Sequence, residues 1–354
     1  MPLLTFGARF GAAFLWRGRA PRATRWHSGE LSERALGVAM LAPMVLVLLL
    51  VVAYPLADSL WLSLHRGNLA NPEQGQPFVG LGNYLHAFQQ PAFWYAIHRT
   101  LYFTLLSVAL ELALGLLFAV LLNERFRGNL GARLAMIFPW ALLTVSNGVL
   151  WAWILNPTYG VANALLVSLG VLQAPKAWLS DTFWTMHVII LADAWKMVPT
   201  MTLLLLAGLQ PIAPDLYEAA EVDGATHWQK FSRITLPLLR PVMLVAVVLR
   251  TIGAFRVFDL IYVLTGNGGP ADSTKVIAFY AYDQAFHYLF FGYGAAISWL
   301  ITACMLVLIV IYMHWLRTEG RAALNEAALR RRSRGERAPV KLGALRRRRR
   351  GGER

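Results

Sequence analysis

Six long apolar runs alternate with shorter polar connections along this chain, at roughly 36–57, 98–122, 133–155, 184–209, 241–264 and 289–316. Each is long enough for the roughly 17–25 residues that an α-helix needs to cross the hydrocarbon layer of a bilayer. Barrel strands would alternate apolar and polar residues over about ten positions, and these runs are too long and too uniform for that. The pattern therefore predicts an all-α polytopic membrane protein with six transmembrane helices.

Composition agrees. The 354 residues are 57% hydrophobic and 15% charged, with a mean hydropathy of +0.49, against about 25% charged in soluble domains. The apolar excess is gathered into runs, which excludes a large soluble core. The net charge of +14 matters through its placement. Arg9, Arg17, Arg19, Arg22, Arg25 and Arg34 precede the first run. Arg125, Arg127 and Arg133 lie between the second and third, and Lys230, Arg233 and Arg240 between the fourth and fifth. A further cluster fills the tail from Arg317. The other connections hold only Arg66, Lys176 and Lys275, with Arg99 at a membrane edge. By the positive-inside rule both termini and the 210–240 segment are expected in the cytoplasm. Phe10–Trp16 is short, flanked by arginines and without a small-residue cleavage pattern, so it does not read as a signal peptide. The arginine runs near the C-terminus read as a disordered tail that fixes topology and touches anionic lipid rather than nucleic acid. The single cysteine, Cys304, cannot form an internal disulfide and is expected to be a small buried residue.

The segment between the fourth and fifth runs has a shape of its own. Pro211 and Pro214 end one element and open another, and Asp215 places negative charge at the new helix's N-terminus. Asp215–Asp223 is expected to be a short helix of about 13 Å that stops at Gly224. Thr226 and Gln229 have the spacing of a capping box and start a second helix toward Pro237. Ala219 and Ala220 permit close approach of another surface, and Glu218, Glu221 and Asp223 offer carboxylates to a basic rim.

Within that segment Glu218-Ala219-Ala220, Gly224, Ile234 and Leu236-Pro237 fill every fixed position of EAA-x3-G-x9-I-x-LP. The chain resembles the inner-membrane permeases of binding-protein-dependent ABC importers, in the carbohydrate subgroup with maltose-, trehalose- and glycerol-phosphate-type members. The likeness covers about residues 36–316 and includes Phe78–Tyr84, Asn156–Gly160, Asp193–Lys196, Leu206–Gln210, Phe255–Asp259 and Leu264–Pro270. It implies a basic N-terminal segment (1–35), an additional first helix (36–57), a type-1 permease core (97–316) and the basic tail (317–354). It also implies a cytoplasmic EAA coupling loop that grips an ATPase through Tyr217, Glu218, Ala219, Ala220, Glu221, Asp223 and Gly224. Its partners would be a second permease chain, paralogous or identical, two ATPase subunits, an external sugar-binding protein and membrane lipid. The location would be a bacterial or archaeal plasma membrane. No GxxxxGK[ST] loop occurs, so ATP and magnesium are expected on the partner ATPase, with no cofactor in this chain. A stand-alone secondary transporter would show more spans or internal repeats, and no repeat is evident.

Charged residues inside spans default to functional hypotheses. Glu111 lies in the second run. Asp193 and Lys196 lie three apart in the fourth, and Arg256 and Asp259 three apart in the fifth, so each opposite pair shares a helix face. Such pairs either neutralise themselves and fix packing or line a substrate path. Arg250 falls near the cytoplasmic end of the expected fifth span, where it could snorkel. A sugar path needs hydrogen-bonding groups and aromatic faces; Asn147, Trp151, Trp195, Asp259, Tyr262 and Asn267 are the candidates. His65, His86, His98, His187, His227, His287 and His314 are scattered without ligand spacing, and no catalytic constellation is present. The resemblance favours an oligosaccharide such as an α-glucoside, with glycerol-phosphate-type substrates open.

Overall fold

The computed structural model describes residues 33–68, 71, 73, 75–124 and 126–333. The segment 1–32, with Phe10–Trp16, and the tail 334–354 lie outside the described residues. Among those described, secondary structure is helical apart from one isolated antiparallel bridge between His65 and Phe78.

Residues up to Leu56 form one compact unit and those from Ala57 another. The first apolar span is α1 (Glu33–Leu48), a π-helical turn (Leu49–Ala53) and α2 (Tyr54–Ser63). The turn precedes Pro55, which has no N–H to continue the i→i−4 ladder; Tyr54 N–H bonds instead to Leu49 five residues back.

In the second unit, α3 (Gly82–Gln89) leads into α4 (Pro91–Asn123), which opens on proline at its first position. Then follow α5 (Asn129–Ala141), α6 (Thr144–Ile154), α7 (Val161–Ser168) and α8 (Trp184–Leu209). The loop helices α9 (Pro214–Val222) and α10 (His227–Lys230) precede a second π turn (Phe231–Thr235) and α11 (Leu236–Phe255). The chain continues through α12 (Asp259–Thr265), α13 (Ile277–Tyr282) and α14 (Phe291–Ser333). Among the described residues five helices are long and apolar enough to cross a membrane, and α5 with α6 makes six if that bent pair is one span.

Three expected boundaries are corrected. The third span is not continuous over 133–155: α5 and α6 are bent 98° against each other, with Leu142 and Leu143 extended. Pro139 removes a backbone bond just before the break. The fifth span is His227–Phe255, not 241–264. Its first turns carry His227, Gln229, Lys230 and Arg233, so hydropathy alone hides them. Its π turn lies before Pro237, as the first lies before Pro55. At the other end Arg256 to Phe258 leave the helix. Third, 317–333, expected to be disordered, continues α14; this stretch is rich in Ala, Leu, Glu and Arg, all strong helix formers. Cys304 is exposed on α14 rather than buried. It shares that span with exposed Leu306, Val307, Val310 and Ile311, residues that suit a lipid-covered surface.

α4, α8 and α11 form the centre of the second unit. Ala119 and Leu122 of α4 pack with Met201, Leu205, Leu206 and Leu209 of α8 and Leu239 and Ala246 of α11. A Cβ on Gly115 would lie 2.5 Å from Met201 Cγ, so α4 and α8 approach through a bare glycine, as small residues allow in membrane bundles. A second cluster brings Phe103, Ile189, Leu260, Ile261 and Phe279 together.

Candidate functional site

The helix, glycine turn and second helix expected between the fourth and fifth spans are present. α9 begins at Pro214 and has Asp215 in its first turn. Gly224 has φ +75°, a left-handed conformation that costs glycine no Cβ clash. Ala225 N–H reaches back to the Ala220 carbonyl (2.9 Å) and Asp223 N–H to that of Ala219 (3.0 Å), occupying carbonyls the helix end leaves free. Thr226 caps α10 reciprocally: its Oγ1 accepts from Gln229 N–H (3.3 Å) and its N–H donates to Gln229 Oε1 (2.8 Å).

Two cross-ties make this loop one object. Lys230 Nζ donates to Glu221 Oε1 at 2.6 Å across the turn. That hydrogen bond, and the charge behind it, hold the Glu221 carboxyl below its ordinary value. Tyr217 Oη lies 3.0 Å from Thr235 Oγ1, tying α9 to the π turn. Glu218, Ala219, Glu221, Asp223 and Gly224 are exposed, and Tyr217 and Ala220 half-buried. Glu221 is therefore already paired within the chain. Glu218 and Asp223 have no ion-pair partner among the described residues and are the carboxylates free for a partner surface. Sequence reasoning missed the apolar part of this surface: Val222 is 90% exposed and Trp228 72%. The available signal was an apolar residue set between Glu221 and Asp223, and a tryptophan inside a capping box. A cavity of about 340 Å³ lies between α9 and the adjoining ends of α4 and α8, lined by Asn123, Glu124, Tyr217, Glu218 and Glu221 among others.

The charged residues within the spans are paired differently from their spacing in sequence. Glu111 on α4 and Asp193 on α8 both meet Arg250 of α11, not Lys196 or solvent. Arg250 Nε bonds Glu111 Oε2, and Nη2 reaches Glu111 Oε1 at 2.8 Å and also Asp193 Oδ2. Ser107 Oγ lies 2.8 Å from Glu111 Oε1 and 2.7 Å from Asp193 Oδ2. Glu111 is fully buried and Asp193 nearly so. The expected snorkelling of Arg250 fails because the span begins at His227, which puts position 250 toward the opposite end of the helix, where its guanidinium is held against two buried carboxylates. Lys196, also buried, donates to Thr144 Oγ1 at 2.6 Å, at the start of α6. Arg256 and Asp259 form no ion pair among the described residues; both are exposed, because the helix ends between them.

The six expected path residues fall into separate groups. Asn147 is fully buried, and its Nδ2 donates to the Ala192 carbonyl (3.2 Å), so in this conformation it holds α6 to α8 rather than facing an open path. Trp151 and Trp195 meet edge to face at 6.2 Å beside it. Asp259 and Tyr262 are exposed on α12 within an aromatic row: Phe258–Tyr262 at 5.4 Å, Tyr262–Tyr282 at 5.5 Å and Tyr282–Phe286 at 5.1 Å. Phe258, Tyr282 and Phe286 also line a cavity of about 530 Å³ with Arg256 and Asp259. Asn267 lies beyond α12, exposed at the start of a loop whose next two residues are buried. Sequence reasoning missed Phe258, Tyr282 and Phe286, whose grouping depends on α12 meeting α13. Among the described residues no group of His, Cys, Asp and Glu could hold a metal ion.

Comparison with known proteins adds the following. Residues 111–318 match the family described as binding-protein-dependent transport system inner membrane component. The chain is 44% identical to the trehalose/maltose transport system permease protein MalF of Thermococcus litoralis, over 79% of this chain and 93% of that one. It is 38% identical to the sulfoquinovosyl glycerol transport system permease protein SmoG of Agrobacterium fabrum, over 84% and 95%. A chain from the crystal structure of a bacterial alginate ABC transporter in complex with alginate pentasaccharide-bound periplasmic protein superposes with a TM-score of 0.69. It is 26% identical, covering 80% of this chain and 94% of that one.

Proposed function

The chain belongs to the family of binding-protein-dependent transport system inner membrane components, and from that premise we propose how it works. It is the permease subunit of an ABC sugar importer, a membrane-spanning transport chain and not itself an enzyme; ATP hydrolysis belongs to a separate subunit. It provides half of a translocation path, the other half coming from a second permease chain. A periplasmic or external binding protein delivers the sugar. Two ATPase subunits, which hold the ATP and magnesium, sit on the cytoplasmic face with the 210–240 loop and both termini.

One observation carries this reading. A polar helix, turn and helix projects between two spans, stiffened by its own caps and by the Lys230–Glu221 and Tyr217–Thr235 ties. It presents Glu218, Asp223 and Val222 outward. A rigid, exposed, mixed apolar and acidic knob is suited to seat in a partner's cleft rather than to span a gap. Because α10 runs without interruption into α11, force applied at the knob enters the membrane through one helix. Relatives that carry trehalose, maltose or sulfoquinovosyl glycerol place the substrate among carbohydrates. For the path, exposed Tyr262 and Phe286 with half-buried Phe258 and Tyr282 offer ring faces, and Arg256 and Asp259 offer hydrogen bonds. Asn147, Trp151 and Trp195 stand behind it as wall.

The test is uptake of labelled trehalose or maltose into vesicles holding the assembled importer, with the binding protein outside and ATP inside. Uptake is expected only when the ATPase and ATP are both present, and Asp259→Asn should raise the half-saturating concentration for import without affecting assembly. Uptake by the permease chains alone would overturn the reading.

A further inference from the structure

We propose that Arg250 is a positioning residue for transport: it is the point at which motion of the docking loop is passed to the rest of the bundle, and its two carboxylates form a clasp that re-pairs during the cycle. This rests on the reading of 210–240 as the ATPase-docking loop.

Three observations carry it. First, His227–Phe255 is one span, so Arg250 is fixed to the same helix as the capped start of α10. At about 1.5 Å per residue it lies about 35 Å along that helix from His227. Second, its guanidinium contacts two other spans at once, Glu111 of α4 and Asp193 of α8. Those two helices approach closely through Gly115 and Met201, so the carboxylates sit on a common wall and the cation on the helix that the loop would drive. Third, the charges have a second arrangement. Two carboxylates face one guanidinium, while Lys196, three residues from Asp193 on the same helix face, is buried with a hydroxyl as its hydrogen-bond acceptor. If α11 slides or turns, Arg250 keeps Glu111, and Asp193 passes to Lys196. The observed arrangement leaves buried Lys196 on a hydroxyl while Arg250 holds both carboxylates, and the second gives each buried cation one carboxylate, so charge is compensated within the same cluster in both, the condition for an element with two discrete states. Ser107, within hydrogen-bond reach of both carboxylates, bridges them on either side of the exchange.

The experiment uses the complete importer in vesicles and reads sugar imported per ATP hydrolysed, together with the stimulation of hydrolysis by the loaded binding protein. Arg250→Met alone strands two buried carboxylates and risks misfolding. The informative variant removes all three charges together, Glu111→Gln/Asp193→Asn/Arg250→Met. It is expected to assemble with the ATPase at wild-type yield but to import roughly 5–150-fold less sugar per ATP, the range of a coupling free energy between two sites. Arg250→Lys, which returns the cation without the fork, should recover part of the ratio. A wild-type ratio in the triple variant would overturn the proposal. So would failure of that variant to assemble, since the charges would then hold the bundle together rather than move it. Failure of the docking reading looks different: the wild-type chain would not retain the ATPase.

Discussion

Gly224 turns the chain between α9 and α10 at φ +75°, and a Cβ built there meets nothing within 4 Å. Crowding by neighbours is therefore not what a substitution costs; the backbone is. A residue with a Cβ in the left-handed region costs about 1–2 kcal/mol, which changes the population of the observed turn roughly 5–30-fold. Valine, branched at Cβ, belongs at the upper end. The Lys230–Glu221 and Tyr217–Thr235 ties cross this turn, so a shift at residue 224 displaces both carboxylate and ring. Gly224→Val is expected to lower binding-protein-stimulated ATP hydrolysis and sugar uptake by that factor in reconstituted vesicles. Membrane insertion should be normal, because the residue lies outside the spans. Gly224→Asn, a side chain that visits the left-handed region readily, should keep most of the activity. Wild-type uptake in the valine variant would refute the reasoning. Equal loss in both variants would also refute it, assigning the glycine's role to the bare surface it offers a partner rather than to the turn.

Two further outcomes follow from the geometry. Glu221 is held below its ordinary value of 4.5 by Lys230, so the tie's contribution is complete above about pH 4.5 and is lost only as pH falls through the lowered value. Loop protection measured by limited proteolysis of the detergent-solubilised chain should thus be flat from pH 8 to 5 and weaken below; Glu221→Gln should abolish the pH step. At the α6–α12 contact, a Cβ on Gly148 would lie 2.6 Å from Val263 Cγ1, so Gly148→Ala should cost about 1–3 kcal/mol by overpacking. Thermal unfolding in detergent should show that loss, and Gly148→Ala with Val263→Ala should recover part of it; an additive double variant would argue against the contact.

The helix, turn and helix of the 210–240 loop were legible in the sequence because each of their devices acts over a few residues. A proline opens the helix, Gly224 stops it, and Thr226 and Gln229 cap the next within four positions, so no distant part of the chain is needed to specify them. The number of apolar runs was legible for the same reason: a length and a composition suffice. The edges of the fifth span were not, since polar residues at 227–233 continue a helix that hydropathy treats as loop. Spacing along one helix suggested that Asp193 would meet Lys196 and that Arg256 would meet Asp259. Tertiary structure instead brought Arg250 to Asp193 from 57 residues away and to Glu111 from 139. The aromatic row likewise exists only because α12 meets α13. Local turn chemistry and apolar length are written into neighbouring residues. Which charges meet inside the bundle is decided by burial: once water is excluded, a charge must pair with whatever opposite charge the packing of three helices delivers, whatever its place in the sequence.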